Sequence, residues 1–156
     1  ATQSFPFGTV RLLEKMRKLH LSEQELAPFI KTQMEPISHF CSSGESLQFA
    51  IGTGGNIETL GKLKPKLLKL NSPTWLTTAE LEVIMTKLQS MNRKQRVTRL
   101  GLRPDRADVI IPAGLLVLAI LKDARLDKML IPHVGLKDGL LCSLAQKQKF
   151  FDKAGV

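Results

Sequence analysis

The chain has 156 residues and a mass of 17.3 kDa, the size of one domain with at most a short extension, which excludes two substantial domains. Apolar residues make up 43% and charged residues 24%, so a real core can form, and neither a disordered nor a collagen-like chain fits. The formal net charge of +9 directs attention to polyanionic or phosphorylated partners. The longest apolar run, Val109 to Leu121, contains Pro112 and has 13 residues; roughly 20 are needed to cross a bilayer, so no membrane partner is expected.

The first residue is Ala1, and no basic-then-apolar leader follows it; the expectation is a cytoplasmic location and a piece of a longer chain. Cys41 and Cys142 stand far apart with no CxxC or CxxH spacing, which suggests no zinc site and two reduced, buried thiols. His20, His39 and His133 are scattered, and no metal site is expected.

The charge is uneven along the chain. Residues 1–51 hold five Lys/Arg and five Asp/Glu, residues 52–104 ten and three, and residues 105–156 eight and six. The middle third therefore carries most of the positive field, on Lys62, Lys64, Lys66 and Lys69 and then on Arg93, Lys94, Arg96, Arg99 and Arg103. A solvated helix face would account for such usage; a phosphorylated ligand would too. Nucleic acid is disfavoured: Tyr is absent, Trp75 is the one Trp and neither basic cluster interleaves with aromatics, so base stacking has few obvious platforms.

In chain order, Ser4 to Leu12 mixes Phe, Val and Thr with Pro6 and Gly8, which predicts a short strand or edge segment turning into a helix. Leu12 to Leu19 then reads as a brief basic helix. Ser22 with Glu25 is a capping box and should start the next helix. Leu26, Phe29, Ile30, Met34, Ile37 and Phe40 recur at spacings of three and four, giving one apolar stripe. Pro28 and Pro36 are expected to interrupt that stripe, with a break near Glu35, and Cys41 to Ser46 to form the loop that follows.

Leu47 to Ile51 is a mostly apolar run leading into Gly52-Thr53-Gly54-Gly55-Asn56, after which Ile57 to Leu63 resumes at helical spacing. This order is strand, glycine loop, helix. Glycines let the backbone approach a ligand closely, and a helix N-terminus aims unpaired amides and its positive dipole end at an anion. Glycines also serve plain tight turns, and the Lys-Ser ending of a Walker loop is missing, since Asn56-Ile57 stands there.

Thr77 with Glu80 is a second capping box, followed by Leu81, Ile84, Met85, Leu88 and Met91 on one face. In the basic segment Arg93 to Arg103, a helix would put Arg96, Arg99 and Arg103 together, and Pro104 should interrupt it. Asp105 and Asp108 favour the start of a buried helix covering Val109 to Leu121. Met129 to Ile131 is a strand candidate, Pro132 to Gly135 a loop, and Leu136 to Lys147 a helix interrupted early by Gly139, with a fraying basic tail. There is no internal repeat, heptad array or low-complexity tract. The expected fold class is α/β and helix-rich, with about three short strands in a thin sheet. No GxSxG, HExxH or Ser/His/Asp grouping appears.

Taken in order, Phe5-Pro6-Phe7-Gly8-Thr9-Val10-Arg11-Leu12, Ala50-Ile51-Gly52-Thr53-Gly54-Gly55-Asn56, Pro104-Asp105-Arg106-Ala107-Asp108-Val109-Ile110-Ile111-Pro112-Ala113-Gly114 and Gly135-Leu136-Lys137-Asp138-Gly139-Leu140-Leu141 resemble the second domain of the exopolyphosphatase and guanosine pentaphosphate phosphohydrolase family. The resemblance runs through nearly the whole chain. It implies a ribonuclease-H-like lobe of the actin, hexokinase and Hsp70 type, truncated at its N-terminal strands, with Gly8 to Leu12 as a strand and turn. It also implies a two-lobed acid anhydride hydrolase that releases terminal phosphate from inorganic polyphosphate or guanosine pentaphosphate.

In that family the first lobe and a DxGGGS-type loop carry catalytic groups, and neither is present in residues 1–156. The resemblance therefore implies no catalytic residue here, an isolated chain that is inactive, and Mg2+ in the intact enzyme with none bound to this piece. The expected phosphate or nucleotide contacts are Gly52, Thr53, Gly54, Gly55, Asn56, Arg11 and Lys62. Arg106 with Asp108 is expected to be a structural hinge or helix-start pair rather than a ligand contact. His133-Val134 stands where many relatives carry Asp-Gly, and Lys137-Asp138 replaces the commoner Arg-Glu. Expected partners are polyphosphate or guanosine penta- or tetraphosphate, the missing lobe, and a second copy in a homodimer. Competing readings are a non-catalytic module that binds ppGpp, another nucleotide or a polyanion, and a basic nucleic-acid-binding domain.

Overall fold

The computed structural model describes residues 2, 4–6, 8–35, 37 and 47–147. Expectations for His39, Phe40, Cys41, the break at Pro36, the Cys41 to Ser46 loop and the tail beyond Lys147 lie outside the described residues. Within them are helices α1 (Thr9–Leu19) and α2 (Glu23–Thr32), strand β1 (Ala50–Ile51), helix α3 (Gly55–Leu68), strand β2 (Trp75–Thr77), helices α4 (Thr78–Gln89), α5 (Arg93–Leu100) and α6 (Pro104–Asp123), strand β3 (Lys128–Leu130) and helix α7 (Leu136–Lys147).

Local chemistry sets most of the helix starts. Ser22 and Thr77 close the two expected capping boxes: the Ser22 amide donates to Glu25 Oε2 at 2.9 Å and the Thr77 amide to Glu80 Oε2 at 2.9 Å. A third box joins Asn92 and Gln95, each amide donating to the other's side chain at 2.9 Å. Each such cap satisfies amides that a helix end leaves without a partner. Gly101 closes α5 at φ 67, in the left-handed region that glycine enters without strain. Pro104 then occupies the first turn of α6, where its missing amide costs nothing.

Helix α6 is the centre of the molecule: α1, α2, α3, α4 and α5 all pack on it. Ala107, Ile110, Ile111, Ala113 and Leu121 are almost fully buried, as the apolar density of that stretch requires. Gly114 lets α4 approach, since a Cβ there would collide with the Met85 sulfur. Leu81, Ile84 and Leu88 of α4 and Leu26 and Ile30 of α2 meet this hub with no exposed surface. Burying each contributes about 1.5–3 kcal/mol.

The sheet has the order β1-β3-β2, with β1 parallel and β2 antiparallel to β3. Its register aligns Ala50, Met129 and Leu76 across the strands, and Ile51, Leu130 and Trp75 beside them. Strand side chains alternate between faces, so Met129 and Leu76 go into the core while Ile51 stays 64% exposed. This is a helix-rich α/β fold with a small mixed sheet.

Several expectations are corrected. Among the described residues of Ser4 to Leu12 there is no strand, and the other reading, a segment turning into a helix, is the one found: Gly8 caps α1 with extended backbone at φ −160, and Leu12 and Met16 turn one face of that helix to the core. The apolar i, i+4 pair outweighs the β-branched Thr9 and Val10. The third strand is instead Trp75–Thr77, too short for a period to register. Pro28 lies inside α2 and Gly139 inside α7, and neither ends its helix; packing and length absorb such local costs. Cys142 is exposed rather than buried. Arg96, Arg99 and Arg103 share no face, because Arg96 is 4% exposed and Arg103 lies beyond α5, at the N-cap of α6.

Candidate phosphate-binding loop and groove

Strand β1 delivers the chain to the loop, and each loop residue there has a different task. Gly52 is buried, and its amide donates to the Leu130 carbonyl at 2.8 Å. A Cβ on Gly52 would collide with the Met129 side chain and come within 2.8 Å of Ile57. Gly52 is therefore a packing glycine whose donor is already used. Thr53, Gly54 and Gly55 are exposed.

Gly54 is the N-cap of α3 at φ 103 and ψ 156, with no side-chain cap bond; only glycine adopts that backbone without strain. Its carbonyl accepts from the Glu58 amide at 3.0 Å, while the amides of Thr53, Gly54, Gly55 and Asn56 enter no backbone hydrogen bond among the described residues. A row of unpaired donors thus sits at the positive end of a 14-residue helix.

Arg106 comes from the first turn of α6 and lies against this row. Its Nη1 donates to Asn56 Oδ1 at 2.6 Å, and Asn56 Nδ2 donates to Thr9 Oγ1 at 3.1 Å. A Cβ on Gly55 would lie 2.6 Å from Arg106 Nη2, so the guanidinium rests on the glycine backbone. The absence of side chains at positions 54 and 55 serves two ends: one fixes the backbone angle, the other admits an arginine.

From there a groove of about 370 Å³ runs along α3 toward the α5–α6 junction, lined by Gly55, Glu58, Lys62, Lys66, Arg103 and Arg106 among others. Lys62 is exposed in it. Lys66 Nζ donates to the Leu100 carbonyl at 2.8 Å, a favourable place for a cation at a helix C-terminus. Arg103 pairs with Asp105 at 2.8 Å, and the Arg103 hydrogen bond holds the Asp105 carboxyl below its ordinary value of 3.8. Asp105 thereby offsets Arg103, leaving Lys62, Lys66 and Arg106 as the cations that set the field of the groove.

The other basic residues of the middle third have structural duties. Lys64 is 6% exposed, donates to the Trp75 carbonyl at 2.7 Å and pairs with Glu80 at 2.9 Å. Burial pushes the Glu80 carboxyl up, but the Thr77 amide and the Lys64 ammonium outweigh it and hold the pKa below 4.5. Lys69 closes α3 in the left-handed region at φ 58. Arg96 Nε donates to the Leu88 carbonyl at 3.0 Å, tying α5 to the end of α4.

The expected Arg106–Asp108 pair is not present: Asp108 pairs with Arg93, and Arg106 turns to the glycine loop. Arg11 is exposed on α1 and borders a separate shallow hollow with Phe5, Gly8 and Thr9; Thr9, through Asn56, is what ties that helix to the loop. Asp138 accepts from the Gly135 amide at 2.7 Å and so serves the start of α7. Sequence reading missed Arg106 as a member of the site because 50 positions separate it from Asn56, and no spacing rule spans that gap.

The groove contains one carboxylate, Glu58, and no group of three His, Cys, Asp or Glu that could hold a metal ion occurs among the described residues. Mg2+ prefers several oxygen ligands in octahedral array, so the side chains described do not fit a dedicated Mg2+ site. No helix among the described residues is long and apolar enough to cross a membrane.

Comparison with known proteins bears on this site. No curated protein matches the chain. A crystal structure of the Ppx/GppA family member from Aquifex aeolicus is similar to it at 23% identity and a TM-score of 0.77, over 94% of this chain and 49% of that one. An exopolyphosphatase from Cytophaga hutchinsonii is similar at 20% identity and a TM-score of 0.75, over 93% of this chain and 49% of that one. At these identities the likeness shows the fold, and the chain spans about half the length of either structure. The model of the Ppx/GppA phosphatase family matches residues 1–148, so the chain belongs to the Ppx/GppA phosphatase family.

Proposed function

We propose that this chain is the phosphate-holding part of an exopolyphosphatase-type phosphoanhydride hydrolase that releases terminal phosphate from inorganic polyphosphate or guanosine pentaphosphate. The observation that carries the reading is the convergence of unpaired amides from Thr53 to Asn56 with the Arg106 guanidinium at the mouth of a basic groove. Breaking a phosphoanhydride requires an oriented water and neutralisation of charge spread over phosphoryl oxygens, with little covalent chemistry for the protein. Backbone donors and a planar guanidinium suit those oxygens. Lys62 and Lys66 extend the positive field along the groove toward the next phosphates.

On this reading the chain is one lobe, of the ribonuclease-H-like, actin type, and the groups that orient water belong to the other half of the length seen in the solved relatives. Mg2+ would then be held by the substrate phosphates and that other half, where it would supply further neutralisation of phosphate charge. A cytoplasmic location goes with the reading, as does a homodimer as a further partner state.

Titration of the 156-residue chain with polyphosphate tests it. Binding is expected to be weak, to fall steeply as salt is raised, and to be accompanied by no release of phosphate. Turnover by this chain alone would refute the division of labour, and clear preference for single-stranded RNA at matched ionic strength would refute the ligand class.

A further inference from the structure

We propose that Asn56 is a positioning residue: its side-chain amide holds Arg106 against the glycine loop without neutralising it. This rests on the phosphate-binding reading above and adds a residue whose part in it is indirect. The guanidinium has five N–H donors, and among the described residues its one hydrogen-bond acceptor is Asn56 Oδ1, at 2.6 Å. The nearest carboxylate, Asp105, is 4.0 Å from Arg106 Nε, too far for a hydrogen bond. Arg106 keeps its charge and most of its donors, and its side chain remains 33% exposed toward the groove.

The clamp is fixed in orientation. Arginine only donates, so Asn56 must present its oxygen to Arg106 and its NH2 to Thr9 Oγ1, which accepts at 3.1 Å. Thr9 opens α1, Asn56 lies in the first turn of α3 and Arg106 in the first turn of α6; one amide thus joins three helix starts around the loop. Gly55 makes the arrangement sterically feasible, since any Cβ there would lie within 2.6 Å of Nη2. An aspartate at position 56 would hold the same geometry, with the Thr9 hydroxyl turned to donate, but would cancel the charge. An amide is the side chain that orients a guanidinium and leaves it cationic.

The test is a double-mutant cycle read by calorimetric titration of the full chain with sodium tripolyphosphate at low ionic strength. Arg106→Ala is expected to weaken binding about tenfold in the otherwise unchanged chain, and about twofold or less in an Asn56→Ala background, because the guanidinium there is no longer placed. Asn56→Asp is expected to bind at least as weakly as Arg106→Ala while melting like the parent, and to show a shallower salt dependence, which loss of packing alone would not produce.

Equal cost of Arg106→Ala in both backgrounds, or parent-like binding by Asn56→Asp, overturns the proposal while leaving the phosphate reading intact. Absence of any tripolyphosphate binding by the parent chain overturns both. Should Asn56→Ala fail to fold, Thr9→Val serves in its place: it removes the second anchor of the amide, and an unchanged cost of Arg106→Ala in that background likewise overturns the proposal.

Discussion

Two faces of helix α3 carry the same kind of residue in opposite circumstances. On one face Lys62 is exposed in the groove that Arg106 enters from α6 with donors to spare; two residues further on, on the opposite face, Lys64 is buried, with the Trp75 carbonyl and the Glu80 carboxylate as partners. A cation beside water and unpaired amides can exchange its hydration for a ligand's oxygens. A cation enclosed by protein oxygens has already done so, and its charge is spent on joining α3 to β2 and α4. Most of the +7 excess of the middle third therefore divides into holding the fold and making a field, and sequence position does not tell which.

Substituting the buried cation should separate the two roles most sharply. Lys64→Ala strips Glu80 and the Trp75 carbonyl of a shared partner, and a loss of about 3 kcal/mol is expected in denaturant unfolding, with tripolyphosphate affinity nearly unchanged. A variant equally stable but impaired in binding would reverse the assignment. Gly54→Ala acts at the N-cap of the helix, on the loop that opens the groove. A Cβ there meets nothing within 4 Å, so its cost is backbone strain alone at φ 103, about 1–2 kcal/mol, and phosphate affinity should fall with it because the cap of α3 is re-aimed. Parent-like binding by that variant would show that the loop's backbone is not the receptor.

The smallest expected effect is a pH dependence confined to the buried face, at the Lys64–Glu80 pair. Glu80 titrates below its ordinary value of 4.5 in the folded chain. Its contribution to stability is therefore present above that value and is lost as pH falls through the lower folded-state pKa. Melting temperatures followed downward from neutral pH should show this loss in the parent and a reduced loss in Glu80→Gln; identical acid profiles would remove Glu80 from the account.

Much of the architecture was legible wherever the signal is local. Ser22 with Glu25 and Thr77 with Glu80 set helix starts through atoms three residues apart, and the apolar density after Asp108 pointed to a helix buried on most sides. The glycine loop between a strand and a helix was legible for the same reason, since clustered glycines permit a turn that other residues cannot take without strain. Ser4 to Leu12 left a strand open because Thr9 and Val10 favour one locally, whereas the packing of Leu12 and Met16 on the core exists only after folding. Trp75–Thr77 becomes a strand because β3 lies beside it, and three residues hold no period.

By itself, the sequence determined the helix caps, the glycine-bearing turn after β1, the apolar stripe of α6 and a family resemblance carried by ordered motifs, all of which depend on neighbours in the chain. Only the tertiary structure decided which cations are spent and which remain available. It occupied the amide of Gly52 with Leu130, enclosed Lys64 and Arg96, paired Asp108 with Arg93, and brought Arg106 to Asn56 across 50 positions. A charge acquires its role from the partners and solvent around it, and those are fixed by packing between distant segments.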